Sequence, residues 1–335
     1  MTAFELYIKR RAKGFDRYLA GFFTNGENSD MQRYLYAPLQ RFSDNAGKRH
    51  RPLICLLACE AVGGDPELAR PSAAAIEHFH TAALVHDDIE DSSLTRRDQP
   101  CMHIAEGLGI AINAGDLALS LVTGTVLKDA GLDDRTKLRV LQELVDMTAR
   151  TIEGQALDIG WARDDRFDLT VDDYLVMANH KTAFYSGAIP LAVGAIVGGG
   201  TDEQVELLRS FGMAAGLAFQ IQDDVLNLVG TKESTKKDFR SDLTEGKRTL
   251  VAIHALAHSP RRERLLEILS AHTTDAAALE EAVSIMREAG SIDYARSYAE
   301  QLILDAKSRL AEGLPKSGAR DLLLSMADFF VERSS

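Results

Sequence analysis

Apolar residues along this chain recur every three or four positions, and the strict alternation of a half-buried strand is scarce. The pattern predicts helices over 3–23, 31–43, 48–62, 66–92, 103–129, 134–160, 171–197, 202–229, 248–258, 261–270, 275–289, 291–312 and 318–332. Several starts are marked locally. Asp65 before Pro66 reads as an N-cap with proline at the first helical position, and Thr170 with Asp173 and Thr201 with Gln204 have capping-box spacing. No proline lies between Pro100 and Pro190, so long uninterrupted helices are open to the middle of the chain. The expectation is an all-α bundle. Residues 230–247 mix lysine, serine, threonine and acidic residues without apolar period and read as a surface loop.

Two aspartate clusters interrupt the apolar pattern: LVHDDIED at Asp87, Asp88 and Asp91, and FQIQDDVLN at Asp223 and Asp224. Asp87 and Asp91 are four apart and Asp88 and Asp91 three apart, so on a helix they share a face and repel. A hard divalent cation offsets this, because Mg²⁺ takes carboxylate oxygens and keeps positions for water and phosphate. One acidic turn has a plain alternative in a solvated charged face. A second, also set in apolar sequence, favours the metal.

Composition leaves domain number open, since 335 residues at 45% hydrophobic content can bury one large core or two smaller ones. A net charge of -12 argues against a nucleic-acid binder or a protein held electrostatically on anionic lipid, so any anion site must be local. Three cysteines, Cys55, Cys59 and Cys101, form no disulfide framework and suit a reducing cytoplasm. Cys55 and Cys59 read as core. The N-terminus lacks an apolar signal core, and the longest apolar stretch, near 188–197, is too short and glycine-broken to cross a bilayer. The expectation is a cytoplasmic protein without an integral membrane segment.

Local cations are at hand. Arg96 and Arg97 follow Asp91 closely, and AGKRHRP brings Gly47, Lys48, Arg49 and Arg51 to the start of an apolar helix. Guanidinium forks bind phosphate directly while carboxylates bind it through metal, so a polyanionic ligand reconciles the two charge types. Lys181, Lys232, Lys236, Lys237 and Lys247 could add to this, although most surface lysines are merely solvated. His78 and His80 are two apart and point to different helix faces, which disfavours zinc. Gln155 and Asp158 read equally well as site residues or as helix polar positions.

In order along the chain, GKRHRP, HTAALVHDDIEDSSLTRRDQP, INAGD, EGQALDI, KTA, FQIQDD and DLTEGKRTL resemble the trans-polyprenyl diphosphate synthases, the prenyl-elongating class I isoprenoid synthases, closest in motif style to geranylgeranyl diphosphate synthase. The resemblance runs from about Gly47 to Lys247. It implies one polyprenyl synthetase domain over 1–335, a large helical bundle of the isoprenoid synthase type around a central apolar cavity, and a homodimer. It implies several Mg²⁺ ions held by Asp87, Asp88, Asp91, Asp223 and Asp224, and an allylic diphosphate contacted by Arg96, Lys181, Lys237 and Lys247. Lys48, Arg51, His80 and Arg97 match the positions that hold isopentenyl diphosphate, and Lys181, Thr182 and Gln220 the catalytic positions near the allylic cation. The departing diphosphate is the family's usual base, so no Ser-His-Asp arrangement is needed.

Three positions depart from the family pattern. Asn227 stands where many members have the last aspartate of the second cluster, Lys236 precedes Lys237 in place of glycine, and Asp98 follows the arginine pair in place of glycine. For product length, Phe79, Ala82 and Ala83 precede Asp87 by one to two helical turns. Alanines leave room for the first isoprene units, and Phe79, about 12 Å below Asp87 at ~1.5 Å per residue, is placed to act as a floor. The expected main product is geranylgeranyl diphosphate, with longer chains as the alternative. A class I terpene cyclase is disfavoured because the second cluster lacks the serine and glutamate of the cyclase motif, and a silent subunit because both clusters are kept.

Overall fold

The computed structural model describes residues 2–24, 26–45, 47–230 and 240–332. In chain order the helices are α1 (Ala3–Ala20), α2 (Ser29–Met31), α3 (Ala37–Asp44), α4 (His50–Ala61), α5 (Arg70–Glu90), α6 (Met102–Ala105), α7 (Leu108–Leu127) and α8 (Asp134–Arg163). They continue as α9 (Val171–Ala178), α10 (Ile189–Val197), α11 (Asp202–Val229), α12 (Ser241–Thr244), α13 (Leu250–His258), α14 (Arg262–Ser270), α15 (Ala276–Glu288), α16 (Ser291–Gly313) and α17 (Gly318–Glu332). The all-α expectation holds, with one two-stranded hairpin, β1 (Thr95–Arg96) and β2 (Gln99–Pro100), among the described residues.

The caps read from sequence form. Asp65 accepts the N–H of Glu67 at 3.0 Å, and Thr170 and Asp173 satisfy each other's backbone N–H groups at 2.8 and 3.2 Å. Thr201 and Gln204 do the same at 3.0 and 3.3 Å. The helix expected over 103–129 is instead α6 and α7, divided at Gly107, whose φ of 90° no continuing helix adopts. The helix expected over 171–197 stays helical but widens to π-type turns over Asn179–Ala188.

The chain divides into two compact units. The first comprises Met1–Asp146, Ile189–Leu208 and Gly313–Met326. In it α4 and α10 are almost wholly buried and lie against each other, while α5 packs along α7 and α4. The α4–α10 contact depends on glycine, since a Cβ at Gly194 would lie 2.1 Å from the Cys55 carbonyl oxygen. Cys55 and Cys59 are free, buried core residues, as expected. Among the described residues the helix long and apolar enough to cross a bilayer, by length and composition alone, is α7 rather than 188–197; a core helix passes the same test, and α7 packs along α5.

The second unit comprises Met147–Ala188, Arg209–Glu312 and Ala327–Ser335. There the π-type segment crosses α11 backbone to backbone. A Cβ at Gly187 would lie 2.1 Å from the Gly212 carbonyl oxygen, and one at Gly216 would lie 2.7 Å from that of Ala183. Helix α8 approaches the same segment closely, for a Cβ at Gly154 would fall 2.2 Å from the Lys181 nitrogen.

Candidate active site

In the first unit, α5 runs apolar to Val85 and ends in its aspartates. Asp91 is the C-cap, its N–H donating to the Asp87 carbonyl at 2.9 Å. Acidic side chains at the negative end of a helix dipole cost free energy. Arg96 of β1 offsets it, donating from Nε to Asp88 Oδ1 at 2.6 Å and from Nη2 to Asp87 Oδ2 at 3.0 Å. Burial works against the Arg96 charge, but bonding to Asp88 and the charges of Asp88 and Asp87 outweigh it and raise its pKa. Asp88 is 1% exposed, and its Oδ2 is buried without a hydrogen-bond partner among the described residues. A buried, unbonded carboxylate oxygen is costly unless a cation takes it. Among the described residues no group of three or more His, Cys, Asp or Glu side chains is placed to hold a metal ion by itself.

The hairpin turn lies between Arg96 and Gln99, and Arg97 and Asp98 both sit at left-handed φ, 55° and 62°. Asp98 thus occupies a position where glycine is the easy choice and aspartate among the few tolerated side chains. The turn sends Arg97 toward the loop before α4, where its Nη1 donates to the Asn45 carbonyl at 2.9 Å. The Arg97 guanidinium lies close over Gly47, where a Cβ would come within 2.8 Å of Nη2 and displace that end of the side chain. Arg51 Nη1 lies 3.3 Å from His80 Nε2. His80 is held neutral, its pKa well below the ordinary value through burial and then the charges of Arg51, His50, Arg97 and Arg96. Arg51, His80 and Arg97 therefore converge, with Lys48 exposed on the adjoining loop. Sequence reasoning passed over what holds that loop. Arg49, at φ 53°, is buried and bonds Glu77, Asp16 at 2.8 Å and the Ser43 carbonyl at 2.6 Å.

On α5, Phe79 and Ala82 are buried and Ala83 partly so. Beside the cluster, a Cβ at Gly115 would fall 2.3 Å from His86 Nε2, so the glycine of INAGD leaves room on α7 for the His86 ring.

In the second unit a hydrogen-bonded chain links three of the expected residues. Thr182 Oγ1 donates to Gln220 Oε1 at 2.7 Å, and Gln220 Nε2 donates to Asp224 Oδ1 at 2.7 Å. Tyr174, fully buried, donates to Asp224 Oδ2 at 2.8 Å. Burial and the Asp242 charge push Asp224 up to about 7, against the bonds from Tyr174 and Gln220 that favour its ionised form. Asp223 precedes it, partly exposed. Lys181 is paired with Asp158, and Lys247 with Glu245 at 2.7 Å and Asp242 at 3.7 Å. Lys237, with Lys232 and Lys236, lies outside the described residues. Tyr174 carried no signal in sequence, as its VDDY context reads as a polar first turn; Asp242 lies in the DLTEGK motif but was not singled out.

Comparisons with known proteins place the chain in a family. The family model described as polyprenyl synthetase matches residues 32–286. The chain is 42% identical over 289 residues to a short chain isoprenyl diphosphate synthase of Methanothermobacter thermautotrophicus, covering 86% of each chain. Among solved structures it is similar to a geranylgeranyl pyrophosphate synthetase of Pyrococcus horikoshii, with TM-score 0.90, 35% identity and 98% of each chain covered. It is also similar to a polyprenyl synthase of Caulobacter crescentus complexed with calcium and isoprenyl diphosphate, with TM-score 0.86 and 27% identity over 99% of this chain and 98% of that one.

Proposed function

The chain belongs to the polyprenyl synthetase family and is a prenyltransferase, and on that premise we propose that it joins isopentenyl diphosphate head-to-tail to an allylic diphosphate, releasing diphosphate. The observation that carries the assignment is the hairpin. Its adjacent arginines face opposite chemistries, Arg96 bonding the aspartates and Arg97 joining Arg51 and His80. That division suits two diphosphates, one bound through metal and one bound directly.

In this reading Arg51, Arg97, Lys48 and neutral His80 hold isopentenyl diphosphate, and Arg49 keeps their loop in place. Asp87, Asp88 and Asp91 of the first unit and Asp223 and Asp224 of the second would hold Mg²⁺, for which the unbonded Asp88 oxygen and the hard carboxylate donors fit. When bound, Mg²⁺ neutralises the departing diphosphate. Arg96, Lys181, Lys237 and Lys247 add positive charge on the same diphosphate as its C–O bond breaks. Thr182 and Gln220 present fixed oxygen dipoles to the developing allylic cation, their orientation set through Asp224 and Tyr174. The isopentenyl double bond attacks that cation, and the departed diphosphate takes the proton. We take 1–335 as one catalytic domain acting in the cytoplasm without an integral membrane segment.

We assign geranylgeranyl diphosphate as the main product, because Phe79 closes the α5 face below Asp87 beyond two alanines. Phe79→Ala should lengthen the products; an unchanged distribution would remove Phe79 as the floor. We also assign a homodimer. Helix α8 buries Val140, Leu144, Met147 and Thr151 on one side and exposes Leu138, Val145, Ile152 and Ile159 at seven-residue spacing on another. A stripe of that period is the seam along which a second helix packs.

Purified protein with Mg²⁺, labelled isopentenyl diphosphate and dimethylallyl, geranyl or farnesyl diphosphate tests the reading directly. Condensation products of up to twenty carbons are expected. Failure with every primer would overturn prenyl transfer, and products of twenty-five carbons or more would replace the product assignment alone.

A further inference from the structure

Asn227 follows Asp224 on α11, where a metal ligand would be sought, yet its carboxamide is engaged elsewhere. Its Oδ1 accepts the backbone N–H of Asp242 at 3.3 Å, and its Nδ2 donates to Ser241 Oγ at 3.2 Å. A backbone N–H can only donate, so the amide orientation is fixed by its partner. The neighbouring turn is held as well. Arg240, buried and at φ 63°, donates to the Leu228 carbonyl at 3.4 Å and to Glu280 at 2.5 Å. The C-terminal end of α11 therefore grips residues 240–242 at three points. From there the chain makes one turn, the Lys247 N–H donating to the Asp242 carbonyl at 2.8 Å, and Lys247 Nζ lies 3.7 Å from the Asp242 carboxylate. After burial itself, the Asp242 charge is the largest influence raising Asp224.

We propose that Asn227 is a positioning residue: its carboxamide fastens the Ser241–Asp242 turn and so sets Asp242 and Lys247 beside the second aspartate pair. Lys247 then presents its charge to the allylic diphosphate, and this step rests on the functional reading above. Asparagine suits the position better than aspartate. A carboxylate at 227 could accept from both the Asp242 N–H and the Ser241 hydroxyl, but it would add a negative charge against Asp242 and Asp224. The departure from the family's usual aspartate is thus a change of role, from holding metal to holding backbone.

Steady-state kinetics in which the allylic diphosphate, isopentenyl diphosphate and Mg²⁺ are each varied with the other two saturating, together with hydrogen exchange of residues 240–248 in metal-free protein, test the proposal. Loss of two hydrogen bonds predicts that Asn227→Ala raises the allylic KM about tenfold and leaves the isopentenyl KM within about twofold. Exchange across 240–248 should accelerate. Ser241→Ala, which deletes one contact, should shift the same KM less, and the double variant should be no worse than Asn227→Ala within about twofold. An unchanged allylic KM with a raised Mg²⁺ requirement would make Asn227 a metal ligand and overturn the proposal, as would additive losses or unchanged exchange. If the wild type makes no product with any primer, the functional reading fails, whereas the exchange measurement still decides whether Asn227 anchors the turn.

Discussion

At Asp224 both carboxylate oxygens accept hydrogen bonds, from Tyr174 and Gln220, in a buried setting where ionisation is already resisted. Removing the Tyr174 hydroxyl takes a donor from the charged form, so Tyr174→Phe should push Asp224 still higher. In metal-free protein the Asp224 carboxyl, followed by NMR, should then titrate at higher pH than in the wild type. A variant with the wild-type titration would show that the bond does not govern Asp224. His78 supplies a second titration of independent sign. It packs edge-on against Phe22 and Phe23 at ring separations of 4.8 and 5.8 Å, and burial, then the Arg49 charge, pushes it down to about 3. Above pH 6.5 folded and unfolded forms are both neutral there; below it only the unfolded chain takes the proton, so stability is lost as pH falls toward 3. The loss from this one group should reach about 2 kcal/mol by pH 5. Denaturant unfolding of His78→Phe should show a shallower decline between pH 7 and 5, and an undiminished slope would clear His78 of the effect. The aspartates, arginines and Lys181 were legible as residues because motif spacing displays them, whereas Tyr174 and the anchoring role of Arg49 were not. Their roles come from burial and from partners distant in sequence, which no local pattern encodes.

The elements were legible wherever apolar period and caps agreed, as at Asp65, Thr170 and Thr201. They were misjudged where a backbone choice, rather than a pattern, decides. Gly107 divides the helix expected over 103–129, and the hairpin was invisible because its strands span two residues each around Arg97 and Asp98 at positive φ. That hairpin matters more than its size suggests, since it alone separates the directions of Arg96 and Arg97. The π-type segment is the other element whose geometry the period could not show. Its widened turns bring Thr182 to Gln220 while Gly187 and Gly212 let two backbones touch. Gly212→Ala would place a Cβ 2.4 Å from the Gly187 carbonyl oxygen, which forces the segment off α11. It should cost about 1–3 kcal/mol in stability. Loss of activity should exceed what that cost explains, because the Thr182–Gln220 bond breaks with the crossing. Full activity in a folded Gly212→Ala protein would show that the crossing tolerates displacement.

At the scale of the molecule, α8 poses the remaining energetic question, because a helix apolar on two sides leaves one of them in water. Leu138, Val145 and Ile152 are each more than half exposed, and the exposed Leu108 and Ile112 repeat the condition on α7. Exposed single apolar residues are ordinary, but a seven-residue repeat along one helix is not what solvation alone would select. Burial at about 25 cal/mol per Å² rewards covering such a stripe, and in the proposed homodimer a second copy of the chain would cover it with its own equivalent in a two-fold contact. A carboxylate placed mid-stripe would meet apolar surface and its own symmetry mate. Val145→Glu with Ile152→Glu should therefore turn a dimeric wild type into a monomer in sedimentation measurements, with the α-helical circular dichroism kept. Because the stripe lies on the helix that also carries Gly154 and Asp158, the monomer should lose activity through a loosened α8. A wild type that sediments as a monomer at micromolar concentration, or a doubly substituted protein that still pairs, would remove α8 as the seam.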